Sequence, residues 1–165
     1  MSAEELVDII DEDDRVVGQA PRREIRQHNL RHRCVYILVF GSDGRLLIHQ
    51  RTQTKDVFPG YWDVAFGGVL GAGEIYDDAA LRELQEECGL TGIVLQRQFP
   101  IEYEQEDNRI RVVLYTAVSD GPFVLQAEEV VRVEWVRAEA VESLARQRQF
   151  CPDGLAVLRR YRGAL

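Results

Sequence analysis

Between Gly67 and Leu90 the chain reads GGVLGAGEIYDDAALRELQEECGL, and three of its glutamates are spaced to act together. The pattern predicts a helix over roughly Tyr76–Cys88, stopped by Gly89. At about 100° per residue, Glu83, Glu86 and Glu87 fall within an arc of about 100°. Ala80, Leu81, Leu84 and Cys88 take the neighbouring arc and are expected to face the core. The helix would thus bury one side and hold three carboxylates together on an exposed face beside it. Gathered carboxylates repel one another, and a hard divalent cation relieves that repulsion. Mg²⁺ in particular is usually held by a few carboxylates together with substrate phosphates. Arg82, four positions before Glu86, can fix a carboxylate rotamer, and Glu74 ahead of the helix is its expected partner. The glycines at 67, 68, 71 and 73 let backbone approach a metal and phosphates closely.

The rest of the chain must place that helix. Residues 6–10 and 16–17 flank the acidic turn Asp11–Asp14, which predicts an N-terminal hairpin. Pro21 is suited to open a brief helix over Arg22–His28. Residues 34–40 read as a buried strand, joined through Gly41-Ser42-Asp43-Gly44 to a hairpin partner at Arg45–Arg51. A loop with Pro59-Gly60 leads to a short strand at Trp62–Phe66. Beyond the helix, residues 92–103 and 109–118 read as two longer strands around the turn Glu104–Asn108, and Val130–Val136 as another. Two helices are expected at about 138–149 and 153–162. Strands and helices mix without strict alternation, so the expected class is α+β with a mixed sheet.

Composition narrows the function. With 165 residues, 45% hydrophobic and 29% charged, the chain can bury a proper core and suits one domain. Its 28 acidic against 20 basic residues give a net charge of −8, which disfavours long nucleic acid as a partner. An acidic protein can still bind a small polyphosphate when a metal ion supplies positive charge. Cys34, Cys88 and Cys151 are scattered and odd in number, which argues against a disulfide framework and a structural zinc site. No apolar run is long enough for a bilayer span, and the acidic Met1-Ser2-Ala3-Glu4-Glu5 start is unlike a signal peptide. A soluble, cytoplasmic protein that does not associate with membranes is expected.

The glutamate segment resembles the Nudix box, G-x5-E-x7-R-E-U-x-E-E-x-G-U with U a bulky aliphatic residue. Gly68, Glu74, Arg82, Glu83, Leu84, Glu86, Glu87, Gly89 and Leu90 fill every specified position. A chance match at a given start is on the order of one in a hundred million. A Glu-rich helix by itself is usually a solvated face; the complete box reverses that balance. The resemblance implies an α/β/α sandwich, a single Nudix domain over residues 1–165 with the box at 68–90, and a hairpin extension over about 1–30. It implies hydrolysis of a nucleoside diphosphate linked to another moiety, X, by metal-activated water. Glu83, Glu86, Glu87 and the Gly68 carbonyl would hold Mg²⁺ or Mn²⁺. Arg82 and Glu74 would position the carboxylates, and Glu86 or Glu83 would serve catalysis directly. Glu128 and Glu129 are candidates for a base supplied from a later loop. Arg51, Lys55 and Glu129 are candidates for substrate binding. The resemblance also admits a homodimer.

The stretches Leu30-Arg31-His32-Arg33 and Lys55-x3-Pro59-Gly60-Tyr61-Trp62-Asp63 are similar to the isopentenyl-diphosphate-isomerase-like branch. An isomerase needs a catalytic Cys and then a metal-binding His just after the Trp strand. Phe66 and Gly68 stand there instead, which disfavours isomerisation. A non-catalytic nucleotide-sensing module is a third reading, although such modules typically lose box glutamates. Tyr61 and Trp62 read as packing residues, His32 as a hydrogen-bonded structural histidine and Cys88 as core. No P-loop, GxSxG elbow or HExxH motif competes.

Overall fold

The computed structural model describes residues 2–165. Its organising element is β3 (His32–Phe40), whose side chains alternate between two cores. Val35, Ile37 and Val39 face one cluster, while Cys34 and Leu38 face the other. β8 (Asn108–Val118) runs parallel to β3 along its whole length, from His32↔Ile110 to Phe40↔Val118. Its residues divide in the same way: Val113, Tyr115 and Ala117 against Val112 and Leu114. Burial on both faces explains why both strands read as nearly continuous apolar runs.

The remaining pairings of β3 are divided among three strands. Ile9 of β1 (Leu6–Ile10) meets His32, β6 (Phe66–Val69) pairs with Cys34–Ile37, and Leu46 of β4 (Leu46–Arg51) meets Phe40. The expected 34–51 hairpin is therefore joined only at its turn. β4 diverges to pair with β5 (Trp62–Asp63) and β9 (Val130–Val136), forming a second group of strands. β2 (Val16–Pro21) completes the N-terminal hairpin with β1, and β7 (Gln96–Gln105) pairs antiparallel with β8.

Helices cover both faces, giving the α/β/α sandwich. α2 (Tyr76–Cys88) packs Ala79, Ala80, Leu84 and Cys88 into the first core. α3 (Val141–Ala145) and α4 (Pro152–Gly163) close the second core through Val141, Val157 and Leu158. A short α1 (Arg22–Gln27) follows β2 and buries Ile25 against Val7 and Ala20.

Several expectations need correction. The strand expected at Trp62–Phe66 breaks in two, because the Asp63 carboxylate accepts the N–H groups of Val64 at 2.8 Å and Ala65 at 3.3 Å. Those amides are thereby lost to a ladder. The strand expected from residue 92 begins at Gln96; Gly92, with φ of +66°, turns the chain before it. The helix expected over 138–149 is a 3-10 turn at Ala138–Ala140 followed by the five residues of α3. Leu81, assigned to the core, is 45% exposed, because the buried stripe of α2 lies on the other side of Leu84.

Candidate active site

Arg82 is the hub of the box. Its Nε and one terminal nitrogen donate to the two oxygens of Glu74 at 2.8 and 2.9 Å, a bidentate clamp. The other terminal nitrogen reaches Glu83 at 2.7 Å and Glu86 at 3.3 Å. Glu74 also accepts the Gly71 N–H at 2.9 Å, which ties the clamp to the glycine loop. Burial pushes the Glu74 carboxyl up, but Arg82 and Gly71 outweigh it and leave Glu74 below its ordinary value. Arg82 is raised, foremost by its bonds to Glu74.

The box glutamates are not equally wet. Glu83 and Glu87 are only 7% and 4% exposed, whereas the Glu86 side chain is 45% exposed. The sequence placed Glu87 on an exposed helix face; it is instead buried beneath the glycine strand, accepting the Gly67 N–H at 3.1 Å. Burial, then repulsion from Glu83, pushes Glu87 up to about 8. Glu83 is raised too, by burial first, with Arg82 opposing. At Gly68 a Cβ would fall 2.6 Å from Glu83 Oε1, so this carboxylate lies against bare backbone. Among the described residues no three His, Cys, Asp or Glu side chains close around one point. Glu83 and Glu86 are turned to Arg82 and Glu87 to Gly67, so the carboxylates share one cleft wall without forming a finished cage.

The facing wall comes from two loops bound to each other. The C-terminal end of α2 is capped by Gly89 in the left-handed region (φ +70°). Two carbonyls at that end are taken by the following loop: Val124 N–H donates to Cys88 O at 3.0 Å and Gln126 N–H to Glu87 O at 3.2 Å. This docking brings Glu128 and Glu129 to the cleft. Thr52 then ties the earlier loop to it, through Oγ1 to Glu128 O at 2.9 Å and N–H to Glu129 O at 3.2 Å. Lys55 pairs with Glu129 across this junction. Arg51 donates to Val57 O at 2.9 Å.

The cleft encloses about 220 Å³, and every proposed metal, cationic and loop-acid residue lines it: Gly68, Glu83, Glu86, Glu87, Arg51, Lys55, Glu128 and Glu129. Glu74 and Arg82 stand behind that wall. Among the charged lining residues, sequence reading missed Arg22, Arg26, Asp56, Asp63 and Asp153. Asp63 is pushed up to about 7, by burial first and then by Asp153, while Tyr36 donates to Asp153. No short-range spacing links residues 63 and 153, so nothing in the sequence could have paired them. His32 and Cys88 are the structural residues expected: His32 Nδ1 bonds Leu30 O at 2.8 Å, and Cys88 is buried. The three cysteines are free. Trp62 is buried, as expected, while Tyr61 packs beside Phe58 with ring centroids 5.4 Å apart.

Residues 30–154 match the NUDIX domain family. An uncharacterized Nudix hydrolase of Pseudomonas aeruginosa, PA4841, is 43% identical over 157 residues, covering 95% of this chain and 93% of that protein. The Nudix hydrolase YfcD of Escherichia coli K12 is 39% identical over 158 residues, covering 96% and 87%. The crystal structure of DR0079 from Deinococcus radiodurans superposes with a TM-score of 0.84 at 27% identity, covering 94% of this chain and 98% of that one. The NUDIX domain of Shewanella oneidensis NrtR, crystallised with ADP ribose, shares the fold with a TM-score of 0.64 at 21% identity, covering 80% and 86%. With the box intact and its supporting clamp formed, the chain belongs to the Nudix family and is a hydrolase acting on pyrophosphate bonds.

Proposed function

We propose that this hydrolase cleaves a nucleoside diphosphate linked to another moiety, X, using Mg²⁺ or Mn²⁺ held by Glu83, Glu86, Glu87 and the Gly68 carbonyl. The observation that carries the reading is the buried carboxylate pair Glu83 and Glu87 beneath a glycine strand, the second pushed up to about 8 by burial and then by the first. An all-oxygen donor set suits a hard cation, and the absent Cβ at Gly68 leaves the backbone open beside Glu83. When bound, the cation supplies Lewis acidity that offsets charge on the anhydride oxygens and acidifies the attacking water. Arg82, clamped on Glu74, holds Glu83 and Glu86 in place. Glu86, the most exposed of the three, is the residue we assign to accept the water's proton. Arg51 and Lys55 bind the diphosphate oxygens, and Lys55 exchanges Glu129 for substrate as it does so.

The same reading takes residues 1–165 as one Nudix unit that acts in the cytoplasm and is compatible with a homodimer. No helix among the described residues is long and apolar enough to cross a membrane. The isomerase reading has less support: Phe66 is fully buried and stacked on His49 at 4.5 Å, and Gly68 offers no imidazole for a metal.

The test is a screen of nucleoside-diphosphate derivatives, ADP-ribose among them, with Mg²⁺, with Mn²⁺ and with chelator. We expect cation-dependent release of nucleoside monophosphate, lowered at least about 100-fold in Glu87→Gln. A near-normal rate in that variant would remove the metal assignment. Binding without turnover would mark a sensing module.

A further inference from the structure

Two arginines of α1 have no part in the chemistry above. Arg22 and Arg26 stand one helical turn apart and line the same cleft as the box glutamates. The Arg22 side chain is 16% exposed and donates to Asp56 at 2.7 Å, yet its buried Nε–H has no acceptor. Arg51 has the same defect: its buried Nε–H is unpartnered, and a terminal nitrogen of its guanidinium lies 3.9 Å from Asp63. Arg26 makes no ion pair among the described residues, unlike Arg22 and Arg23 beside it. Although exposed overall, Arg26 is drawn below its ordinary value, first by lost hydration and then by repulsion from Arg22. Three cationic side chains thus share one end of a cleft with unused donors and too few acceptors.

Neither arginine is paired with a glutamate of α2 among the described residues: Arg22 bonds Asp56, whereas Glu83 and Glu86 are held by Arg82. Lys55 pairs with Glu129 on the loop that docks on the end of α2. The cleft therefore has one cationic end facing the glutamates at Lys55 and another at α1, with Arg51 between them.

We propose that Arg22 and Arg26 form an anion subsite for a phosphate group carried by X, beside the scissile diphosphate, with Arg51 between the two. The identity of this ligand rests on the hydrolase reading; the subsite itself does not. Guanidinium groups suit the task, because each offers paired N–H donors matched to phosphate oxygens and stays charged when partly dried. Asp56 holds Arg22 in readiness and is itself exposed, so a phosphate can displace it. The preferred substrates are then nucleoside-diphosphate compounds whose second moiety ends in a phosphomonoester.

Inorganic phosphate is the first probe, titrated into protein stripped of divalent ions, with binding followed by calorimetry and amide NMR. We expect saturable binding, weakened at least about tenfold in Arg22→Gln/Arg26→Gln and retained in Glu87→Gln. No saturable binding by the wild type, or equal binding by the double variant, overturns the subsite. If circular dichroism shows the double variant unfolded, Arg26→Gln alone carries the test, since it breaks no ion pair. The second probe is a pair of substrates alike except for a phosphomonoester on X. Arg26→Gln should raise KM for the phosphorylated member only, with kcat unchanged. An equal rise for both would place the arginines on the scissile diphosphate and refute the assignment. Failure of every substrate to turn over would count against the hydrolase reading and leave the phosphate titration standing.

Discussion

Arg82 ties three carboxylates together while standing outside the lining of the cleft. Four hydrogen bonds to three carboxylates fix its position, and the two to Glu74 depend on the planar fork of a guanidinium. Arg82→Lys keeps the charge and loses the fork, so kcat should fall roughly 10- to 100-fold with KM little changed. Steady-state kinetics on any accepted nucleotide checks this, and a loss confined to KM would refute the positioning role. The sequence spelled out this clamp, because residues 74, 82, 83 and 86 lie on one short segment whose periodicity sets their faces. It did not reveal that Glu83 and Glu87 are buried while Glu86 is wet. That difference arises from β6 lying across the helix, a contact made by the tertiary fold. It also bears on stability: Glu87→Gln removes a buried acid and not a surface one, so its melting temperature without divalent ions should match or exceed the wild type's.

At the scale of elements, glycines decide whether helix, strand and loop can meet. Gly67 pairs with Tyr36 across β3 and β6, has φ of +148°, and would place a Cβ 1.9 Å from Val35 O. Gly67→Ala should therefore cost about 1–3 kcal/mol in urea unfolding and displace the strand over Glu87. A wild-type midpoint would contradict this. Gly89→Ala is the complementary case: φ of +70° and a Cβ 2.8 Å from Val124 Cβ oppose it. It should lower stability by about 1 kcal/mol and, through the loop, weaken substrate binding more than kcat. The boundaries of α2 and β9 were legible because capping and apolar pattern agree there. The divergence of β4 from β3 was not, since a hairpin signal at Gly41–Gly44 fixes the turn and leaves later pairing to long-range partners. Likewise, Asp63 broke a strand by taking two amides, a choice invisible to a propensity argument.

For the whole molecule, the two buried histidines work against stability in acid. Burial, helped by Arg51, lowers His49 to about 3, and burial lowers His32 to about 4. Unfolded, both would titrate near 6.5. Below that pH the unfolded chain takes up protons on these two rings that the folded one refuses, so their contribution to stability falls as pH drops from about 6.5 through 4 towards 3. Above about 6.5 both are neutral in either state and contribute no slope. His49→Leu should remove its share: the gap in melting temperature between variant and wild type should shift in the variant's favour as pH is lowered from 6.5 to 4. A gap independent of pH would show that His49 does not titrate on unfolding.

The attachment of the 124–130 loop to the end of α2 has a practical corollary for anyone wishing to retune what this enzyme accepts. Because Val124 and Gln126 are anchored to the last carbonyls of the acid-bearing helix, the loop wall of the cleft is tied to the wall that carries its glutamates. Upstream, Ser119 and Asp120 are bonded to Phe40 and Ser42 and not to α2, so an insertion after Asp120 should leave that anchorage in place. A residue spliced in after Val124 would shift every downstream hook by one place and carry Glu129 away from Lys55. Libraries aimed at new selectivity belong on the upstream side of that anchor.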